Sequence, residues 1–258
     1  MKLHLISTVA VALSWVAPPC LADPALAQLL AAYPDVLDRI DGNELVWRDG
    51  TRMVIDDGVA MKTVSAKLAK SDIKDMLDPP YPTGAPSQQP ASDFDPGRAR
   101  NRAFFAKLYG DCRKDEVRAN LVDVVWLPSR SSKLIKFNLR NGASAHLAAV
   151  SAKLDKLPTA FDVYLVPMAG SYNCRSIAGS DQPSAHGYGI AIDIAITRAD
   201  YWRWQRPTKG NAPAYHNRIP AEIVAVFEAE KFIWGGRWSH YDTMHFEYRP
   251  ELFQALSE

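Results

Sequence analysis

Between Gly189 and Ile194 the chain alternates isoleucine with small residues and one acid. In an extended segment successive side chains point to opposite faces. Ile190, Ile192 and Ile194 then share a core face, and Gly189, Ala191 and Asp193 share the other. Small residues beside an acid leave room for an ion and a substrate. His186 sits in the loop that feeds this strand. A second segment, Met244 to Tyr248, repeats the pattern: Met244 and Phe246 face the core, while His245 and Glu247 face the site. Two imidazoles and one carboxylate, from His186, Asp193 and His245, are therefore the expected metal ligands. Such a set leaves a fourth position open on zinc, the arrangement of a catalytic site rather than a structural one. Glu247 is placed to accept from a ligand imidazole and orient it.

Proton-transfer and charge-binding candidates cluster nearby. Asp242, three residues before His245, is the candidate for taking a proton from attacking water and passing it to the leaving amine. Arg175, in the loop G-S-Y-N-C-R, is the candidate cation for substrate charge or a developing oxyanion; the alternative is a structural salt bridge. His240 is a second candidate for polarising the scissile carbonyl; the alternative is a solvated neighbour. His146 and His216 lie outside both segments and read as surface or hydrogen-bonded histidines. Trp234 reads as packing, and Trp238 as packing or a substrate platform. Nickel or cobalt would fit the ligands too, but ligand type favours Zn2+. The chain has no H-E-x-x-H, no G-x-S-x-G and no phosphate-binding loop.

These motifs resemble those of zinc peptidases that cut bacterial peptidoglycan: D-alanyl-D-alanine carboxypeptidases, D,D-dipeptidases and L-alanyl-D-glutamate endopeptidases. The pattern S-x-H-x-x-G-x-A-x-D is met by Ser184, His186, Gly189, Ala191 and Asp193. The later metal histidine matches His245, the acid three residues before it Asp242, and the preceding arginine Arg175. Some carboxypeptidase members carry a histidine where His240 stands. W-G-G-R-W, Trp234 to Trp238, looks most like the endopeptidase branch. The resemblance covers roughly residues 100 to 250. It implies the fold shared with the amino-terminal domain of hedgehog proteins, zinc as cofactor and peptidoglycan stem peptides as substrate. Cleavage between L-Ala and D-Glu is the leading expectation and D-alanyl-D-alanine carboxypeptidase activity the second. A non-catalytic zinc module that binds cell wall or a protein is the reading from another class, and it expects loss of the proton-transfer acid.

The 258 residues carry a formal net charge of +1, with 47% hydrophobic and 23% charged residues. This is ordinary globular composition, with no global argument for nucleic acid or an anionic membrane. Residues 1–22 read as a signal peptide cut after Ala22, with a second possible cut after Ala27. The apolar run is too short for a spanning helix. Export to the periplasm or envelope is expected, as a monomer without a stable membrane span. Removal of Cys20 leaves Cys112 and Cys174, expected to form one disulfide in an oxidising compartment; two buried free thiols are the alternative.

Residues 23–78 read as an N-terminal extension, 79–99 as a Pro-rich connector and 100–258 as the zinc peptidase domain. Helices are expected at 24–41, 60–77, 101–109, 144–157 and from Pro220 to about Lys231. Strands are expected on either side of Asp49-Gly50, at 121–127, 134–139 and 161–166. The fold class is α+β, a central antiparallel sheet with flanking helices plus a small N-terminal α+β extension.

Overall fold

A computed structural model of the protein describes residues 23–84, 89–177, 179–205 and 214–253. The expected signal peptide, with Cys20 and the cleavage site at Ala22, lies outside the described residues. The α+β class holds, and the antiparallel strands are spread over three small sheets. No described helix is long and apolar enough to cross a membrane.

The described residues open with helix α1 (Pro24–Ala32), capped by the Asp23 carboxylate. The helix expected over 24–41 ends early. Pro34 disfavours helical backbone at Tyr33, and the chain turns into strand β1 (Leu37–Asp41). Strands β1, β2 (Glu44–Trp47) and β3 (Arg52–Val54) form a meander, with Asp49-Gly50 at the second turn as expected. The single helix expected over 60–77 is two: α2 (Val64–Ala69) and α3 (Ile73–Leu77). The break falls at Asp72, whose side chain accepts from Asp75 N at 2.7 Å in a capping box and starts a new helix.

Helix α4 (Arg102–Tyr109) and the hairpin β4 (Leu121–Trp126) with β5 (Lys133–Asn138) lie where expected. So does α5 (Ala143–Leu154), entered through Asn141-Gly142. The strand expected at 161–166 is instead a short helix, α6 (Asp162–Leu165). Its β-prone residues find no partner strand. The turn buries Leu165, whose carbonyl accepts from Trp126 Nε1, and leaves Val163 exposed. Helix α7 (Ala221–Ala229) follows Pro220, which stands one position earlier than expected, as the cap.

The third sheet carries the motifs. Strand β8 (His245–Tyr248) lies between β6 (Ala191–Asp193) and β7 (Phe232–Trp234). Its register sets Asp193 opposite His245 and Ile192 opposite Phe246. Ile190, Ile192, Ile194 and Phe246 are all fully buried, and the Phe227 ring of α7 stacks on Phe246 at 3.8 Å. This core sets the height of the two strands.

Residues 79–101 contain no helix or strand among the described residues, and they are packed as a strap. Tyr81 donates to Glu228 and accepts from Trp234 N, and Trp238 Nε1 donates to Pro96 O. Pro-rich composition predicts extension but says nothing about what an extended segment adheres to.

The expected disulfide joins Cys112 to Cys174, 62 residues apart. Closing a loop of that length in the unfolded chain contributes about 4 kcal/mol in the chain-entropy view. Cys112→Ser with Cys174→Ser should therefore lower the unfolding free energy measured by urea titration by an amount close to that. An unfolding free energy within about 1 kcal/mol of the parent would show that the native loop is held by its other contacts alone.

Candidate metal centre

Three ligand atoms converge. His186 Nε2 lies 3.2 Å from His245 Nδ1 and 3.2 Å from Asp193 Oδ2, and His245 Nδ1 lies 3.0 Å from Asp193 Oδ1. Bonds of about 2.0–2.1 Å in a tetrahedral zinc site put neighbouring ligand atoms about 3.3 Å apart. The observed triangle has that size. The ring hydrogens are accounted for elsewhere. His186 Nδ1–H donates to the Ser171 carbonyl at 2.6 Å, and His245 Nε2–H faces Glu247 Oε2 at 3.3 Å. With those tautomers, assigned from the partners, two bare nitrogens and a carboxylate face one point. Only a cation makes that arrangement favourable, so the residues fit a divalent metal ion.

The electrostatics agree. Burial opposes charge on His245, yet hydrogen bonds to Asp193 and Glu247 outweigh it and push the imidazole up to about 10. Burial would raise the Asp193 carboxyl, but hydrogen bonds from His186 and His245 hold it well below the usual range. Without a metal, the centre holds a proton in its place. His186 is 3% and His245 6% exposed, whereas the Asp193 side chain is 20% exposed. The centre is closed behind the histidines and opens past the aspartate.

Local backbone sets each ligand. His186 lies on a 3-10 turn, Ala185–Tyr188, that ends at Gly189 with φ +72. A Cβ there would also lie 2.9 Å from Leu121 Cδ2, so this glycine answers both a left-handed backbone and a close approach. Asp193 is pinned by Gly170, its N–H donating to Gly170 O at 2.8 Å. The loop carrying Arg175 is laced to the His186 turn through Asn173 N to His186 O and Ser184 N to Arg175 O. The Arg175 guanidinium is exposed and makes no hydrogen bond or ion pair to a described residue.

Asp242 stands within the electrostatic field of the ligands and of Arg175. Its N–H donates to Gly235 O and its carbonyl accepts from His245 N. A Cβ on Gly235 would come 2.5 Å from Asp242 O, which explains the glycine of W-G-G-R-W. Burial pushes the Asp242 carboxyl up to about 6, and Oδ1 has no partner among the described residues. Trp234 and Trp238 are buried and donate to backbone carbonyls, so both are packing residues.

His240 sits to one side. Its Nδ1 bonds Asp95 Oδ2 at 2.7 Å, and its ring meets Trp202 edge-on at 4.8 Å. No hydrogen bond joins it to the three ligand residues. His146 bonds Glu230 and His216 is exposed, as expected of residues outside the motifs.

Several supporting residues were not foreseen. Glu247 is fully buried and accepts a two-pronged pair from Arg100, at 2.8 and 2.7 Å, and a third bond from Arg249 at 2.8 Å. The field of Arg100 overcomes the burial that would otherwise raise its carboxyl. Arg249 continues to Glu251, and Glu251 accepts from Tyr33, the residue that ends α1. The sequence offers no sign of this chain, since Arg100 and Glu247 are 147 residues apart. Arg100→Leu leaves Glu247 short of a partner and loosens His245. Supports of this kind are worth about 10–100-fold in metal affinity, so a chelator competition should show a loss of that size. Unchanged affinity in a folded variant would mean that Arg249 alone suffices.

A second acidic group, Asp56, Asp57 and Asp72, also comes together. Lys62 Nζ already bonds Asp57 and Asp72 at 2.8 Å each, so a lysine supplies the positive charge there.

Residues 178–248 match a family described as D-alanyl-D-alanine carboxypeptidase. No curated protein and no solved structure matches the chain.

Proposed function

We propose, on the premise that this segment belongs with the D-alanyl-D-alanine carboxypeptidase family of peptidases, that the chain is an exported, metal-dependent hydrolase of peptidoglycan stem peptides. The observation that carries the reading is the triangle of His186, Asp193 and His245, with the half-buried Asp242 beside it, whose Oδ1 has no partner among the described residues. A zinc ion held there supplies Lewis acidity, acidifying water and polarising the scissile carbonyl.

The chain's own groups do the rest. Asp242, held near neutrality by burial, takes a proton from the attacking water and delivers it to the leaving nitrogen. Arg175, exposed and without a hydrogen bond or ion pair among the described residues, binds a substrate carboxylate as a two-pronged partner. His240, its Nδ1–H donated to Asp95, donates from its other nitrogen to the substrate carbonyl when the ring is protonated. Ser171 and Glu247 keep the ligand imidazoles in the tautomers that leave their lone pairs on the metal side.

For the bond that is cut, the L-Ala–D-Glu linkage leads because W-G-G-R-W resembles the endopeptidase branch. The terminal D-Ala–D-Ala bond is the second reading, favoured by the description of the matched family. Both bonds have a D-residue on the nitrogen side whose α-carboxylate is free, which is the group Arg175 suits. The test is mass spectrometry of peptidoglycan fragments incubated with residues 23–258, with and without chelator. Chelator-sensitive release of peptides beginning at D-Glu supports the endopeptidase. Loss of one terminal D-Ala supports the carboxypeptidase. No chelator-sensitive product from any stem length would sink both and leave the binding module.

A further inference from the structure

Opposite Asp242 stands a tyrosine that neither ligand segment contains. Tyr201 and Asp242 form an isolated antiparallel bridge. Its two bonds run from Trp202 N to Tyr241 O and from Thr243 N to Asp200 O, each 3.0 Å long. They flank the pair instead of joining it. In a pair of that kind the two side chains leave the same face and stand close, with Cβ atoms about 4.5–5.5 Å apart. The Tyr201 side chain is thus a direct neighbour of the proposed base. The electrostatics place it in the same company: Tyr201 feels Asp242 and Arg175, and Asp242 feels Arg175 and all three ligand residues.

The position is held from several sides. Asp200 N donates to the hydroxyl of the buried Thr243 at 2.7 Å, and the Arg218 fork grips the Asp200 carboxylate at 3.0 and 3.1 Å. The Tyr201 ring is half-buried and meets Trp202 and Trp204 edge-on, with centroids 6.3 and 5.8 Å away. Its hydroxyl makes no hydrogen bond to a described residue. Burial raises the phenol above its ordinary value, against the fields of Arg203, Arg98 and Arg175. At neutral pH it is an uncharged O–H donor.

Peptide hydrolysis creates a use for such a donor. As water adds to the scissile carbonyl carbon, the π pair of the carbonyl moves onto its oxygen. Asp242 takes the proton of the water, so that oxygen gains charge without gaining a proton. The pair returns when the C–N bond breaks, and Asp242 gives its proton to the leaving nitrogen. A donor fixed beside the oxygen is worth more at the charged stage than at the start, which is what lowers the barrier.

We propose that Tyr201 is a further catalytic residue, whose O–H donates to the scissile carbonyl oxygen as that oxygen becomes an oxyanion, from the face it shares with Asp242. This rests on the peptidase reading above. Tyr201 keeps its own proton throughout. It differs from His240, which donates only when its ring is protonated, and it leaves Arg175 to the substrate carboxylate.

The test uses the full chain with Zn2+, the stem peptide that the wild type cuts, and a phosphinate analogue of that peptide with phosphorus in place of the scissile carbonyl carbon. Tyr201→Phe keeps the ring and removes the donor. It should lower kcat about 10²–10³-fold, the usual worth of one oxyanion donor, with KM close to the wild-type value. Phosphinate inhibition should weaken by a similar factor, while zinc content and melting temperature stay unchanged. Placing 4-aminophenylalanine at 201 restores a donor on the same ring and should recover part of the lost kcat. Wild-type kcat in Tyr201→Phe overturns the donor and leaves the peptidase reading intact. A raised KM with unchanged kcat also overturns it, because that marks a contact made equally before and during the reaction. So does a lower kcat with undiminished phosphinate binding and no recovery by the amino variant. A wild type without chelator-sensitive turnover overturns the peptidase reading, and the donor with it.

Discussion

Replacing Asp242 by asparagine is expected to remove about 10²–10⁴-fold of the turnover, the usual worth of a positioned proton-transfer group, while metal binding is retained. Asparagine keeps the shape and the backbone bonds to Gly235 and His245 but cannot accept a proton. The ligands of the proposed metal are untouched, so zinc content separates a lost base from a lost ion. The pH dependence follows from the same burial. Asp242 titrates near 6 in the metal-free protein, raised first by burial, then by the charge of Asp193, against the fields of His245, His186 and Arg175. The ionised form is the base, so kcat/KM should fall as pH drops through an acid limb at or below that value, because bound metal favours the charged form.

Stability carries the opposite sign. A carboxyl whose folded pKa is raised binds more protons folded than unfolded, so its ionisation costs folding free energy. That cost sets in between the ordinary aspartate value of 3.8 and about 6 and is complete above. Metal-free Asp242→Asn should therefore melt above metal-free wild type at pH 7, with the gap closing towards pH 4. An inactive variant with a lower melting temperature at both pH values would mark Asp242 as a structural residue instead.

Removal of the metal is expected to have the largest effect of all: complete loss of turnover together with a lower melting temperature, both restored by zinc. The reason lies in the triangle. Two imidazole nitrogens and a carboxylate at 3.0–3.2 Å repel one another unless a cation sits among them. Metal at about 1,000 times its dissociation constant adds about 4 kcal/mol to folding stability. His186→Ala should abolish that gain, because it removes one of the three ligand residues. A melting temperature indifferent to chelator and zinc would remove the metal reading, whatever the activity. The same titration with cobalt or nickel tests whether the centre discriminates among ions that its ligand types accept.

The candidate ligands were legible because their signal is local. Alternation from Gly189 to Ile194 and from Met244 to Tyr248 places side chains on a face wherever the chain is extended, and the core agrees with it: Ile190, Ile192, Ile194 and Phe246 are fully buried. Helix α4, the hairpin of β4 and β5, and helix α5 were legible for the same reason. Where local preference met a local veto the reading failed. Pro34 ended α1, and Asp72 divided α2 from α3. At 161–166 strand-forming residues had no strand to pair with, and burial of Leu165 decided for a helix.

The supports of the site belong to tertiary structure alone. Arg100 reaches Glu247 across 147 residues, and Asp95 reaches His240 across 145. The strap that carries both looks like a linker by composition. A hydrogen-bond partner for a buried charge is chosen by proximity after folding, and no spacing encodes it. So the sequence by itself determined which atoms could hold an ion, since residue type and strand period are local properties. Only the folded chain decided how tightly those atoms are held and which segments pack around them, since both depend on segments that meet through packing.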